Sequence, residues 1–151
     1  MPRHLLVPYY RQNKPGYCLA ACAQMVLAYS GTFRNQEELA VQLGVQPYLG
    51  APARNIHRLA ESTNQVITES GALETLGEWL NNDVPVIAFV QAGELPYWRG
   101  QQLQHAVVIV GIDQETVWIL DPDTGLEPVS VGLDDFMLAW SELDNLCAII
   151  T

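Results

Sequence analysis

The spacing of apolar residues changes near the middle of this 151-residue chain, and this change limits the possible folds more than any other feature. Before Val84, apolar residues recur at helical intervals. From Val84 onward they form short β-branched runs separated by Gly, Asp and Asn, which is typical of antiparallel sheet. The pattern therefore predicts an α+β chain with a helical N-terminal half and a C-terminal sheet.

The helices are predicted from apolar spacing and from the residues that begin and end each segment. They lie over residues 18–29, from the N-cap Asn35 to Gly44, around Ile56, Leu59 and Ala60, over 73–80, and over 133–140. The predicted strands carry the sequences PVIAFV, HAVVIVGI, TVWIL and CAIIT, with a hairpin connection at residues 113–116.

Composition restricts both the domain count and the class of partner. With 49% hydrophobic and 16% charged residues, we expect residues 1–151 to form one domain with a substantial core. The net charge of −10 argues against binding to nucleic acid or to an anionic membrane, and no apolar run is long enough to span a bilayer. Nearly all the acidic excess lies in residues 76–151, where it either attracts basic substrates or serves solubility alone.

The three cysteines do not suggest a disulfide framework, because their number is odd and the N-terminus shows no secretion signal. A reducing cytoplasm fits this pattern best. Cys22 follows Cys18 by four residues and is expected to be a small buried hydrophobe. Because no histidine or third cysteine stands at ligand spacing nearby, we expect neither a metal nor another cofactor.

Cys18 is the candidate nucleophile because it opens the first predicted helix. The N-terminus of a helix carries partial positive charge, which favours thiolate over thiol. Gln12, six residues upstream, is placed to donate to the oxyanion that forms when sulfur attacks a carbonyl. The backbone N–H of Cys18 is the second expected donor, since the first N–H groups of a helix lack intrahelical acceptors. Considered alone, Cys18 is equally well explained as a buried structural thiol.

His105 is the candidate base for this thiol. It stands at the start of a predicted strand whose next five residues are apolar, so a titratable group lies at one end of a strand that is expected to be buried. A histidine there often has a purely structural role, but a thiol nucleophile requires a base. The other two histidines, His4 and His57, are expected on the surface.

Asp121 is the candidate partner of His105. It ends the strand that follows, and a short hairpin at residues 113–116 would bring the two strands side by side. Its carboxylate would accept from one imidazole nitrogen and leave the other facing sulfur. Asp113 and Asp123 remain alternatives, although the first suits the hairpin turn and the second suits the DPDTG turn.

These residues lie in three segments that resemble the bacteriocin-processing cysteine peptidase family and its stand-alone relatives, within the papain-like superfamily. The segments are VPYYRQNKPGYCLAACAQMVLAYSG, QHAVVIVGIDQETVWILDPDTG and LDDFMLAW. The resemblance implies a papain-like fold, in which the nucleophile helix packs on the sheet and the two halves meet at a cleft. It also implies an oxyanion donor at Gln12, a nucleophile at Cys18, a base at His105 and an orienting acid at Asp121.

Leader-cleaving members of that family usually place Asp before and Gly after the nucleophile, whereas Tyr17 and Leu19 stand there in this chain. The pattern is therefore closer to the stand-alone members, and we expect a peptide or protein substrate. The leading hypothesis is a cysteine peptidase or amidase. The alternatives are an acyltransferase or transglutaminase-like enzyme with the same residues, and a non-catalytic module that binds peptides or a partner. Tyr97 and Trp98 precede the histidine strand and either line or plug the cleft.

Overall fold

The structure, a computed structural model, describes residues 4–63, 65–125 and 128–151. The α-helices are α1 Cys18–Tyr29, α2 Gln36–Leu43, α3 Leu73–Asn81 and α4 Leu133–Ser141, and 3₁₀ helices span Ala53–Glu61, Ala92–Glu94 and Pro96–Trp98. The strands are β1 Val66–Ser70, β2 Val86–Gln91, β3 Gln104–Ile112, β4 Thr116–Leu120, β5 Val129–Gly132 and β6 Leu146–Ile150.

Within the described residues, the strands form one antiparallel sheet in the order β1-β6-β2-β3-β4-β5. The central strands β2 and β3 are buried along almost their whole length, which explains their continuous apolar sequences. The predicted hairpin connects β3 to β4, where the Asp113 carboxylate accepts from the backbone N–H groups of Glu115 and Thr116. The α+β class predicted from the sequence is confirmed.

Helix α1 is buried on nearly every side and packs against both α2 and strand β3. Alanine favours helix and has a small side chain, so the Ala-rich sequence CLAACAQMVLAY lets the helix approach the sheet closely. This packing places the start of α1 beside the start of β3. The helix and the sheet thus bring together two chain segments that are far apart in sequence.

Helix α2 begins and ends as the sequence predicts. The Asn35 side chain accepts from the backbone N–H groups of Glu37 and Glu38, and Gly44 ends the helix in a left-handed conformation with a φ of 70°. Two buried polar side chains, Gln36 of α2 and Asn55 of the following 3₁₀ helix, connect this region to the rest of the fold.

The sequence prediction was wrong in three places. The third helix, Ala53–Glu61, has 3₁₀ geometry, and strands β1 and β5 were not predicted. Both missed strands lie at the edges of the sheet, and most of their side chains are not fully buried, so they lack the continuous apolar signal of β2 and β3. The N-terminal half is therefore helical except for β1, which pairs with β6 near the other end of the chain. Among the described helices, none has the length and apolar character needed to cross a bilayer.

Candidate active site

Cys18 and His105 meet where the start of α1 lies against the start of β3. Cys18 is the first residue of α1, and it lines the same two cavities as His105, close enough for the two side chains to interact electrostatically. His105 is 5% exposed, whereas Cys18 is only partly buried in the fold. The backbone N–H groups of Ala106 and Leu19 also favour the charged form of the sulfur and help to lower the pKa of Cys18. The predicted proximity of sulfur and imidazole is therefore present in the structure.

Asp121, fully buried at the end of β4, accepts hydrogen bonds on both carboxylate oxygens. Its Oδ1 is 2.7 Å from His105 Nε2 and 2.9 Å from the Asp123 backbone nitrogen. Its Oδ2 accepts from the Tyr97 hydroxyl at 2.6 Å and from the Trp98 indole Nε1 at 3.0 Å. A buried carboxylate needs such donors to remain charged. Because His105 Nε2 is bound to Asp121, Nδ1 is the ring nitrogen left to face Cys18.

Electrostatic interactions among Cys18, His105 and Asp121 favour the charged form of each side chain. Burial disfavours charge on His105, but its hydrogen bonds to Asp121 and Cys18 outweigh this effect and raise the pKa of His105 to about 10. Burial alone would also raise the pKa of Cys18, yet the hydrogen bond and charge of His105 lower it below its ordinary value. The pKa of Asp121 is lowered in the same way, against the effect of burial, mainly by its bond to His105. The arrangement therefore favours a thiolate and imidazolium pair.

The other two cysteines are in different environments. Cys22 and Cys147 are fully buried within the core, and burial raises the pKa of Cys147 to about 11 and that of Cys22 well above its usual range. The prediction that Cys22 is a buried hydrophobe is confirmed. All three cysteines are free, and no group of three or more potential ligands forms a metal site in the part of the chain that the structure describes.

Gln12 lines the larger cavity together with Cys18, and it is held there through its backbone and its side chain. Its backbone N–H donates to the Pro122 carbonyl at 2.9 Å. The buried Gln36 side chain bonds the residues on either side, accepting from Asn13 N at 2.7 Å and donating to the Arg11 carbonyl at 3.1 Å. The Gln12 Nε2 donates to Asp123 Oδ1 at 3.1 Å.

Two cavities meet at the Cys18 and His105 pair. The larger has a volume of about 290 Å³, and its lining includes Gln12, Trp98, Asp123, Tyr48 and Leu49. The smaller, of about 70 Å³, lies against Phe89, Ala106 and Leu143. Both cavities are lined by Cys18 and His105, so two separate spaces border the pair.

The structure brings together all four predicted site residues and separates the two alternatives to Asp121. Asp113 lies in the β3–β4 hairpin, and the Asp123 carboxylate bonds Gln12 instead of His105. His57 is exposed as predicted, whereas His4 is half-buried and stacks on Trp118. Trp98 lines the larger cavity, whereas Tyr97 lines a separate cavity beside Asp123, and their bonds to Asp121 were not predicted. The sequence shows only an aromatic pair before the histidine strand, and it gives no signal for the role of Gln36.

The fold and the arrangement of Cys18, His105 and Asp121 define the class: an α+β protein of papain-like architecture, with a cysteine at a helix start beside a histidine on the sheet. Within this class, the family model described as the Peptidase_C39 like family matches residues 4–147, and the chain belongs to that family. The family identified from the three sequence segments is therefore confirmed. No curated protein matches the chain.

Three solved structures share the fold. A C39-like peptidase from Bacillus anthracis is 19% identical, with a TM-score of 0.81 over 99% of this chain and 98% of that one. A double-glycine motif protease from an AMS/PCAT transporter, solved with its leader peptide, is 21% identical, with a TM-score of 0.71 over 99% and 98%. The peptidase domain of Streptococcus ComA, a bifunctional ABC transporter of a quorum-sensing pathway, is 21% identical, with a TM-score of 0.75 over 94% and 96%.

Proposed function

We propose that this protein is a cysteine peptidase or amidase that cleaves a peptide or amide bond through an acyl-thioenzyme. The observation that carries the proposal is the juxtaposition of Cys18 with His105, whose ring is bound to Asp121 at 2.7 Å, at a point where two cavities open. Membership of a peptidase family and the shared fold of known peptidases also support it.

In the first half of the reaction, the Cys18 thiolate attacks the carbonyl carbon of the substrate and the carbonyl oxygen becomes an oxyanion. Gln12 Nε2 and the backbone N–H of Cys18 are the proposed donors to that oxyanion. The N–H of Cys18 has no intrahelical acceptor because Cys18 is the first residue of α1. As the intermediate collapses, the C–N bond breaks and His105 gives its proton to the leaving amine.

In the second half, water attacks the thioester carbonyl while the neutral His105 ring takes a proton from it. The C–S bond then breaks, the acid product leaves, and the Cys18 thiolate and His105 imidazolium pair is restored. Asp121 remains ionised throughout. Its bond to Nε2 keeps the ring oriented with Nδ1 towards the sulfur.

The cavities favour an extended peptide as the substrate. The two cavities share Cys18 but are otherwise lined largely by different residues, so there is room for chain on both sides of the scissile bond. Exposed apolar side chains border the larger cavity, with Tyr48 79% and Leu49 81% exposed, and they offer contacts to an apolar residue of the peptide. Asp123 in the same cavity, together with the acidic excess of the chain, favours a basic group in the substrate. The solved complex of a related double-glycine protease with a leader peptide supports a peptide ligand.

The test compares wild type with Cys18→Ala on a peptide library, with Cys22→Ala as the matched control. Cys22 is on the same helix but fully buried away from solvent, so its loss should leave cleavage in place. We expect cleavage by wild type and Cys22→Ala and none by Cys18→Ala. Equal turnover by wild type and Cys18→Ala would refute the proposal.

Product analysis separates hydrolysis from acyl transfer. We expect the free acid as the product both with and without added amines. An amide product that appears with added amines would assign the chain to the acyltransferase alternative. Binding of peptides without any cleavage, and without an adduct at Cys18, would assign it to the non-catalytic alternative.

A further inference from the structure

We propose that Asp123 is a positioning residue for chemistry at Cys18: its carboxylate holds the Gln12 amide with the nitrogen, rather than the oxygen, available to the oxyanion. The inference rests on the proposed function and extends it by one residue. Asp123 acts through Gln12 and does not touch the reacting atoms.

The carboxylates of Asp121 and Asp123, in the turn after β4, bind different partners. Asp121 is buried against His105, whereas Asp123, two residues later, lines the larger cavity and accepts from Gln12 Nε2 at 3.1 Å. An ionised carboxylate only accepts hydrogen bonds. The nitrogen of the Gln12 amide must therefore face Asp123, because its oxygen would be repelled there.

In this orientation the oxygen of the same amide lacks a hydrogen-bond donor within the described residues. Gln12 Oε1 is also buried. A buried acceptor without a donor is unfavourable, so the amide has a reason to rotate by 180° and exchange its oxygen and nitrogen. Asp123 opposes that rotation. A rotated amide would direct oxygen lone pairs towards the oxyanion and repel it.

Other contacts already fix the Gln12 backbone. Its N–H donates to the Pro122 carbonyl, and Gln36 bonds both Arg11 and Asn13. The side-chain orientation is therefore the property that Asp123 controls. The amide nitrogen carries two hydrogens, so one binds Asp123 and the other remains for the oxyanion.

Two reactions of Cys18 separate this role from a general structural one. Acylation by p-nitrophenyl acetate forms an S–C bond, passes through an oxyanion and releases p-nitrophenolate. Alkylation by iodoacetamide also forms an S–C bond, but it displaces iodide directly and forms no oxyanion. Only the first reaction should depend on the orientation of the Gln12 amide.

We expect Asp123→Ala to acylate about tenfold more slowly than wild type, because loss of a whole oxyanion donor costs roughly 10²–10³ and here the donor is only misoriented. Alkylation should change less than about twofold, since it needs no such donor. Asp123→Asn keeps an acceptor oxygen and should recover most of the acylation rate. In a Gln12→Ala background, Asp123→Ala should have no further effect.

The matched control is Asp134→Ala, which removes the same charge from an exposed position in the first turn of α4 and does not line the cavity. It should leave both rates unchanged. If Asp123→Ala does not fold, Asp123→Ser, which suits the turn, takes its place in the same comparison.

Several outcomes would overturn the inference while the proposed function stands. They are equal slowing of acylation and alkylation, no slowing of acylation, and a full effect of Asp123→Ala in the Gln12→Ala background. A different outcome would overturn the proposed function itself: wild-type Cys18 that is acylated no faster than the Cys18 of His105→Ala.

Discussion

Tyr97→Phe tests whether the buried charge of Asp121 depends on its aromatic neighbours. The Tyr97 hydroxyl lies 2.6 Å from Asp121 Oδ2, and its removal leaves Trp98 Nε1 as the donor to that oxygen. A hydrogen bond to a charged group contributes about 1.5–3 kcal/mol, so we expect Tyr97→Phe to lower the free energy of unfolding by about 2 kcal/mol. For a chain of this length, that corresponds to a fall of about 4–8 °C in Tm.

The assay is thermal and denaturant unfolding at neutral pH, with Tyr29→Phe as the matched control. Tyr29 is also half-buried against the core, and within the described chain its hydroxyl makes no hydrogen bond. Its loss should change the free energy of unfolding by less than about 0.5 kcal/mol. Equal melting of Tyr97→Phe and Tyr29→Phe would refute the reasoning.

The pH dependence of the Tyr97→Phe effect gives a second check. Burial opposes the charge on Asp121, but the His105, Tyr97 and Trp98 bonds lower the pKa of Asp121 below its ordinary value. The stability that this carboxylate contributes is therefore present above its unfolded pKa and is lost as pH falls through the folded pKa. Below that point Tyr97 donates to a neutral acid, and the difference between wild type and Tyr97→Phe should shrink by about half.

Three further substitutions test other parts of the account. Asp121→Asn places an amide NH₂ among four hydrogen-bond donors, so we expect it to lower the free energy of unfolding by about 3 kcal/mol in denaturant unfolding. It should also lower the pKa of His105, and an unchanged imidazole titration by NMR would contradict this. Gly16→Ala should lower the free energy of unfolding by about 1–3 kcal/mol, because Gly16 has a φ of +89° and an added Cβ would lie 2.9 Å from the Tyr48 backbone nitrogen. A melting temperature equal to that of wild type would refute the need for glycine there. Asn35→Ala removes the cap of α2 and should cost about 1 kcal/mol in denaturant unfolding, whereas Asn35→Ser should restore most of that loss.

Regular patterns explain which parts of the fold could be predicted from the sequence. The central strands and α1 are buried, and burial imposes a continuous apolar sequence that can be recognised directly. Edge strands β1 and β5 are half-exposed and short, so pairing with neighbours defines them more than their own composition does.

The site could be predicted in part, because its chemistry requires particular residue types. A thiol at a helix start needs a base, and His105 was the histidine placed at the mouth of the sheet. The supporting contacts follow no such rule. The bonds from Tyr97 and Trp98 to Asp121, and from Gln12 to Asp123, depend on loop geometry that arises only in the folded chain.

The central claim is that His105 activates Cys18 as a thiolate, and site-resolved mass spectrometry of cysteine alkylation at pH 6 tests it most directly. Cys22 and Cys147 are buried and have raised pKa values, so they provide internal references in the same sample. We predict that iodoacetamide modifies Cys18 at least about tenfold faster than either of them, and that His105→Ala slows the labelling of Cys18 at least about tenfold. Slow labelling of all three cysteines at similar rates, or a Cys18 rate unchanged in folded His105→Ala, would contradict it.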